Sequence, residues 1–213
     1  MQYSSCLRFV YLSAVCVSIV WASNAWAFAH TYDVNEVFSN KDGTIQFVEL
    51  LEVAGANGQN LFTIRALRSN GSILPITTNL PNSLTANTNV LFATASFAAL
   101  TGAPTPDYTM PDGFINVLAD TIKFCPNVAC TVPFDSFTFA FLSTDGITSL
   151  ERDGTNIVAA INSPTNFAGD SGSVDVSPPP GLPSLSKPGF VMLVLSILLI
   201  SARNIRMPGF QQG

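Results

Sequence analysis

With 213 residues, the chain has room for one domain of about 140 residues and an appendage at each end. All 14 acidic residues lie between His30 and Val176, against Lys41, Arg65, Arg68, Lys123 and Arg152, so this middle carries −9 within a net charge of −5. That balance argues against nucleic acid as a partner, because phosphate contacts need clustered Lys and Arg.

The chain opens with one positive charge, Arg8, followed by an apolar run of 14 residues, Phe9–Ala22. Ala25-Trp26-Ala27 and Ala27-Phe28-Ala29 then both have the A-x-A form of a cleavage site. This three-part pattern is that of a secretory signal peptide over residues 1–27, read by the export machinery. The alternative, a retained N-terminal anchor, is disfavoured because a span takes about 20 apolar residues.

The domain is expected over residues 30–170, and its first elements organise the rest. Val34–Ser39 and Ile45–Glu52 read as two strands joined by Asn40-Lys41-Asp42-Gly43, where Gly43 supplies positive φ and Asp42 can bond its own backbone. Strict alternation places Val34, Glu36 and Phe38 on one face and Phe47, Glu49 and Leu51 on one face of the second strand. Each carboxylate then sits between large apolar neighbours, which is costly unless something opposite satisfies it. Further strands are expected at Leu61–Leu67, Val90–Ala95, Gly113–Val117, Thr121–Phe124, Ser136–Leu142 and Ile147–Arg152, with one helical turn at Ala95–Leu100. Short strands at this spacing, punctuated by Gly, Pro and Asn, predict an all-β sandwich or barrel.

Cys125 and Cys130 are the cysteines left once Cys6 and Cys16 depart with the signal. A disulfide closing this C-x4-C loop is the expectation in an exported protein, the alternative being two unpaired or separately buried thiols. A zinc site would need further ligands, and His30 is the one histidine.

Residues 171–187 are rich in Pro, Ser and Gly and predict an extended linker. An uncharged run of 15 residues, Pro188–Ala202, follows, and then Arg203 and Arg206. Spacer, apolar run and basic end over residues 171–213 predict a C-terminal helix that enters the membrane, with Arg203 and Arg206 on the cytoplasmic side. The alternative is an apolar segment docked on the domain.

Two resemblances follow from these pieces. Val34-Asn35-Glu36-Val37 and Phe47-Val48-Glu49-Leu50 near the start, with Ser149-Leu150-Glu151-Arg152 and Asn162-Ser163-Pro164-Thr165-Asn166 near the end, resemble the lamin-tail domain. The resemblance implies an immunoglobulin-like β-sandwich and a role in interaction or attachment, with no shared catalytic residues. The stretch 93–111 and the cysteine loop are longer than in a minimal domain of that kind. Leu182-Pro183-Ser184-Leu185-Ser186 with the apolar run and Arg203 resembles the PEP-CTERM and IPTL-CTERM class of sorting tags, a conservative variant of Ile-Pro-Thr-Leu-Ser. It implies an exosortase-like processing enzyme.

For chemistry, a Ser-His pair is disfavoured because His30 falls at the mature N-terminus. Glu36 and Glu49 could do acid–base work. The simpler expectation is that they fix strand packing, accepting hydrogen bonds from backbone amides or from Arg65, Arg68 or Arg152. Setting Gly43 at the sixth place of a calcium loop puts Glu49 at the twelfth but Phe38 at the first, where an oxygen ligand is required, so the match reads as a hairpin turn. The reading is thus an exported, membrane-tethered or sorted surface interaction module without catalytic activity or cofactor, its partner an unknown extracellular protein or polysaccharide. Alternatives are a secreted hydrolase or lyase using the carboxylate pair, and a structural component of an extracellular matrix. Intact-mass measurement of the exported protein should find a first residue just after Ala27 or Ala29; an intact Met1 would refute the signal-peptide reading.

Overall fold

A computed structural model describes residues 29–177, which form one compact unit. The expectations for residues 1–27 and 188–213, including Arg203 and Arg206, and for linker residues 178–187 fall outside the described residues. Among the described residues no helix is long and apolar enough to cross a membrane.

Ten strands and one helical turn follow in order: β1 Tyr32–Ser39, β2 Gln46–Glu52, β3 Ala66–Arg68, β4 Ile73–Pro75, β5 Asn89–Ala93, α1 Ala95–Ala98, β6 Tyr108–Thr109, β7 Asp120–Cys125, β8 Asp135–Phe139, β9 Thr148–Asp153 and β10 Asn156–Ile161. They build a six-stranded sheet, β10-β9-β1-β2-β5-β6, and a four-stranded sheet, β4-β3-β7-β8. This is a two-sheet β-sandwich, as the strand spacing predicts. The expected strand at Gly113–Val117 is absent; those residues are turns tied by side chains, with Gln46 donating to the Ile115 carbonyl and accepting from the Ile115 amide. Of Leu61–Leu67, strand begins at Ala66, because Ile64 takes φ +73°. β4, β6 and β10 are strands that the pattern does not announce.

The first hairpin forms as its turn chemistry dictates. Gly43 has φ +73°, and the Asn40 side chain accepts from the Ile45 amide at 3.1 Å. Its face assignment needs correcting, however. Asn35 is an extra residue, a β-bulge between Val34 (opposite Leu50) and Glu36 (opposite Glu49). A bulge reverses the alternation. Val34 and Val37 therefore join Val48, Leu50, Phe92, Phe124 and Phe137 in the core between the sheets. Glu36 and Phe38, with Phe47 and Glu49, point to the other face of the same sheet. That face is buried too: Phe38 and Phe47 stack at 5.3 Å and pack with Leu91, Ala93, Phe97 and Val174.

This second face is covered by Phe97 of α1 and by the segment after β10. Val174 is held from both sides by the Asn162 side-chain amide, at 2.8 Å each way. The compact unit accordingly runs through Ser171–Ser177 rather than ending at 170. The strap lies close on the backbone: the Val176 amide donates to the Gly146 carbonyl, and a Cβ at Gly146 would strike the main chain of Val176 and Ser177. The sheets are joined at one side by Arg152 of β9, which donates to Asp135 of β8 at 2.7 Å and to the Val34 carbonyl at 2.9 Å.

Gly146 also has φ +94°, so Gly146→Ala combines a disfavoured conformation with a backbone clash. It should cost about 2–3 kcal/mol in denaturant unfolding, whereas Gly154→Ala, at φ +59° with nothing near its Cβ, should cost about 1.

Candidate functional site

Glu36 and Glu49 face each other directly across β1 and β2, and Glu151 of β9 lies opposite Glu36 on its other side. Three carboxylates thus form a row across three adjacent strands. Glu36 and Glu49 are almost fully buried, at 1% and 2% exposure. Glu36 accepts from the Ser163 amide at 2.9 Å, and its other oxygen lies 3.4 Å from the Ser163 hydroxyl. Glu49 accepts from the Thr165 amide at 2.7 Å and from the side-chain amides of Asn35 at 2.8 Å and Asn89 at 2.6 Å. The bulge aims Asn35 at Glu49, so the register shift serves the carboxylate directly. The expected arginines are elsewhere. Arg152 joins the two sheets, while Arg65 and Arg68 donate to the carbonyls of Pro126 and Ala129 in the cysteine loop.

Burial pushes the Glu36 carboxyl up to about 8; the Ser163 amide and Ser149 hydroxyl oppose the shift, and Glu49 and Glu151 add repulsion. Burial likewise raises Glu49 to about 7, against its donors Asn35, Thr165 and Asn89. Such values would suit proton transfer near neutral pH. The oxygens, however, face the strap and the Asn35 and Asn89 side chains rather than open space, and none of the cavities described below is lined by them.

Cys125 and Cys130 are joined as a disulfide, with Cα atoms 5.1 Å apart. The loop they close is set by Asn127, whose side chain accepts from the Ala129 and Cys130 amides. Beside it opens a recess of ≈ 450 Å³ lined by His30, Ile64, Arg65 and Phe134. The His30 backbone amide donates to the Gln59 side chain at 3.2 Å, and its ring lies 6.4 Å from that of Phe134. The Arg65 guanidinium sits 5.5 Å from the Phe134 ring centre. Ile64 projects into solvent, 65% exposed, in a left-handed conformation that β-branched residues avoid. Two other cavities, one between β4 and β6 (≈ 220 Å³) and one at the Gly43 turn (≈ 300 Å³), are lined mainly by turn and edge residues.

The sequence reading missed a further group of acids. Glu52 accepts from the amides of Ala54, Ala56 and Asn87; Asp107 from those of Leu91 and Phe167; Asp120 from those of Asn70 and Asn116. These carboxylates tether loops to strands, and only the nearby pairs, such as Glu52 with Ala54, leave a local trace. At the calcium-like turn, Asp42 is occupied by the Thr44 amide and hydroxyl. Among the described residues no group of three or more His, Cys, Asp or Glu could hold a metal ion.

Compared with known proteins, the chain matches no family model, no curated protein and no solved structure.

The raised carboxyls set a pH dependence. Between the ordinary value of 4.5 and about 8 the folded state holds protons that the unfolded chain releases, so stability falls as pH rises through that window. Glu52 and Asp145 are held below their ordinary values, and their contribution is lost as pH falls below about 4. Thermal stability should therefore peak near pH 5, and Glu36→Gln should flatten the decline towards pH 8. Glu49→Ala, which orphans three donors, should cost about 2–4 kcal/mol by urea unfolding at pH 5.

Proposed function

We propose that the chain is an exported β-sandwich of the lamin-tail, immunoglobulin-like type, tethered or sorted through its C-terminus, that acts as a surface interaction module rather than as an enzyme. The observation that carries this reading is Ile64. An apolar, β-branched residue stands exposed with φ +73° at the mouth of an apolar recess. Strain of this kind concentrates where a surface is shaped for contact, and exposed apolar area beside an aromatic ring fits recognition of a protein or a polysaccharide.

The carboxylate pair supports the same reading. Its oxygens are spent on Ser163, Thr165, Asn35 and Asn89, which leaves it a structural part in closing the domain. The Cys125–Cys130 disulfide suits an oxidising compartment. The signal-like residues 1–27 and the tag-like residues 182–206 supply the rest of the proposal.

The test uses the full chain in the cells that make it. The domain should be digested by protease added to intact cells and should fractionate with the membrane or the surface. Ile64→Asn, which tolerates positive φ, should leave thermal stability equal or higher while abolishing cross-linking of a photoreactive residue at position 134 to its surface partner. A protease-protected, cytosolic protein, or cross-linking unaffected by Ile64→Asn, would refute the reading.

A further inference from the structure

We propose that two copies of the chain join through β10, pairing strand to strand so that their six-stranded sheets continue into one another. The sandwich has four sheet edges among its described residues, and three are blunted. β6 is two residues long; β4 is three residues long and ends in Pro75; β8 begins at Asp135, whose carboxylate is tied back to Val34 and Arg152 of the other sheet. β10 has six residues, Asn-Ile-Val-Ala-Ala-Ile, with no charge, no proline and no bulge, and it pairs on one side only, with β9. An uncharged, exposed edge of this length presents unpaired backbone donors and acceptors to any extended chain.

The sequence of the edge says which chain fits. From Asn156 to Asn162 it reads Asn-Ile-Val-Ala-Ala-Ile-Asn, close to a palindrome about Ala159. A second copy laid antiparallel with Ala159 opposite Ala159 places Asn156 opposite Asn162, Ile157 opposite Ile161 and Val158 opposite Ala160. The paired segment from Asn156 to Asn162 holds no acid, so no acid meets an acid across the junction. Self-pairing about a two-fold axis needs this match of each position with its mirror. The side chains agree. Ile157 packs partly against the core, while Ile161, two pleats along on the same face, is left 71% exposed. Pairing would set Ile161 of each copy beside Ile157 of the other, the apolar β-branched contact that favours antiparallel strands. The inference is independent of the recess around Ile64, on which it places no demand.

The experiment uses the full chain in mild detergent with Cys6→Ser and Cys16→Ser. Directly opposed residues in an antiparallel pair have Cα atoms about 4.5–5.5 Å apart, within disulfide reach. Ala159→Cys should therefore oxidise to a covalent dimer, while Ile73→Cys on the exposed β4 edge should remain monomeric. In sedimentation velocity the parent should dimerise, more strongly as salt screens the −9 of each domain. Ala159→Lys should be monomeric with an unchanged circular dichroism spectrum, and mixing it with Ala159→Glu should restore a dimer. Cross-linking of Ala159→Cys no faster than of Ile73→Cys overturns the proposal, as does a dimer that persists in Ala159→Lys. Should Ala159→Lys fail to fold, the cysteine comparison decides.

Discussion

Two carboxylates bound to two backbone amides hold this domain shut. Glu36 and Glu49 come from the first hairpin, and Ser163 and Thr165 from the strap that follows the last strand, 127 and 116 residues away. Desolvating the acids opposes folding, and the amides offset that cost only when the strap is seated. Without the strap Glu36 loses the Ser163 amide and Glu49 keeps only Asn35 and Asn89, and without the acids the strap amides lose their acceptors. A closure that depends on so long a loop also weights the fold towards non-local contacts, which favours slow folding.

The same device recurs through the molecule. Glu52, Asp107, Asp120, Asp135 and Asp145 each accept from main-chain amides in neighbouring loops or strands. Strands here are short and the connections long, so many loop amides lack a ladder partner and would otherwise be orphaned. Side-chain carboxylates supply the missing acceptors. The acidity of the middle is therefore largely architectural. Much of the −9 is engaged with backbone dipoles, which leaves it a weak argument for a cationic ligand.

The six-stranded sheet is buried on two faces by different means. One packs against the second sheet through aliphatic residues and an aromatic chain, Tyr32, Phe62, Phe124 and Phe134, with successive ring centres 5.1–5.5 Å apart. The other is covered by α1 and the strap over Phe38, Phe47 and Phe97. Solvent-facing apolar side chains remain in several places, among them Leu84, Leu118 and Val132, Ile64 beside the disulfide loop and Ile161 at the β10 edge. Ile64 precedes β3 of the four-stranded sheet and Ile161 ends β10 of the six-stranded one, so the proposed interaction surface and the proposed self-association edge can coexist.

Local chemistry was legible in the residues themselves. The first hairpin, its Gly43 turn, the helical turn at Ala95–Ala98, the two-sheet class and the closeness of Cys125 to Cys130 all rest on contacts within a few positions. The burial of Glu36 and Glu49 was legible too, since apolar neighbours leave them nowhere else to go. Their face was not. One unpaired residue, Asn35, reverses the alternation, and nothing in Val-Asn-Glu-Val distinguishes a bulged strand from a regular one. Nor were their partners, because the donors from the strap are backbone amides, which every residue except proline carries. Short β4 and β6 exist through pairing with neighbours rather than through their own pattern, and the left-handed Ile64 is imposed against its preference by the chain around it. Period and turn chemistry act over a few residues and are written in the sequence; register, partner and strain are settled by which distant backbone arrives opposite, and only the folded chain decides that.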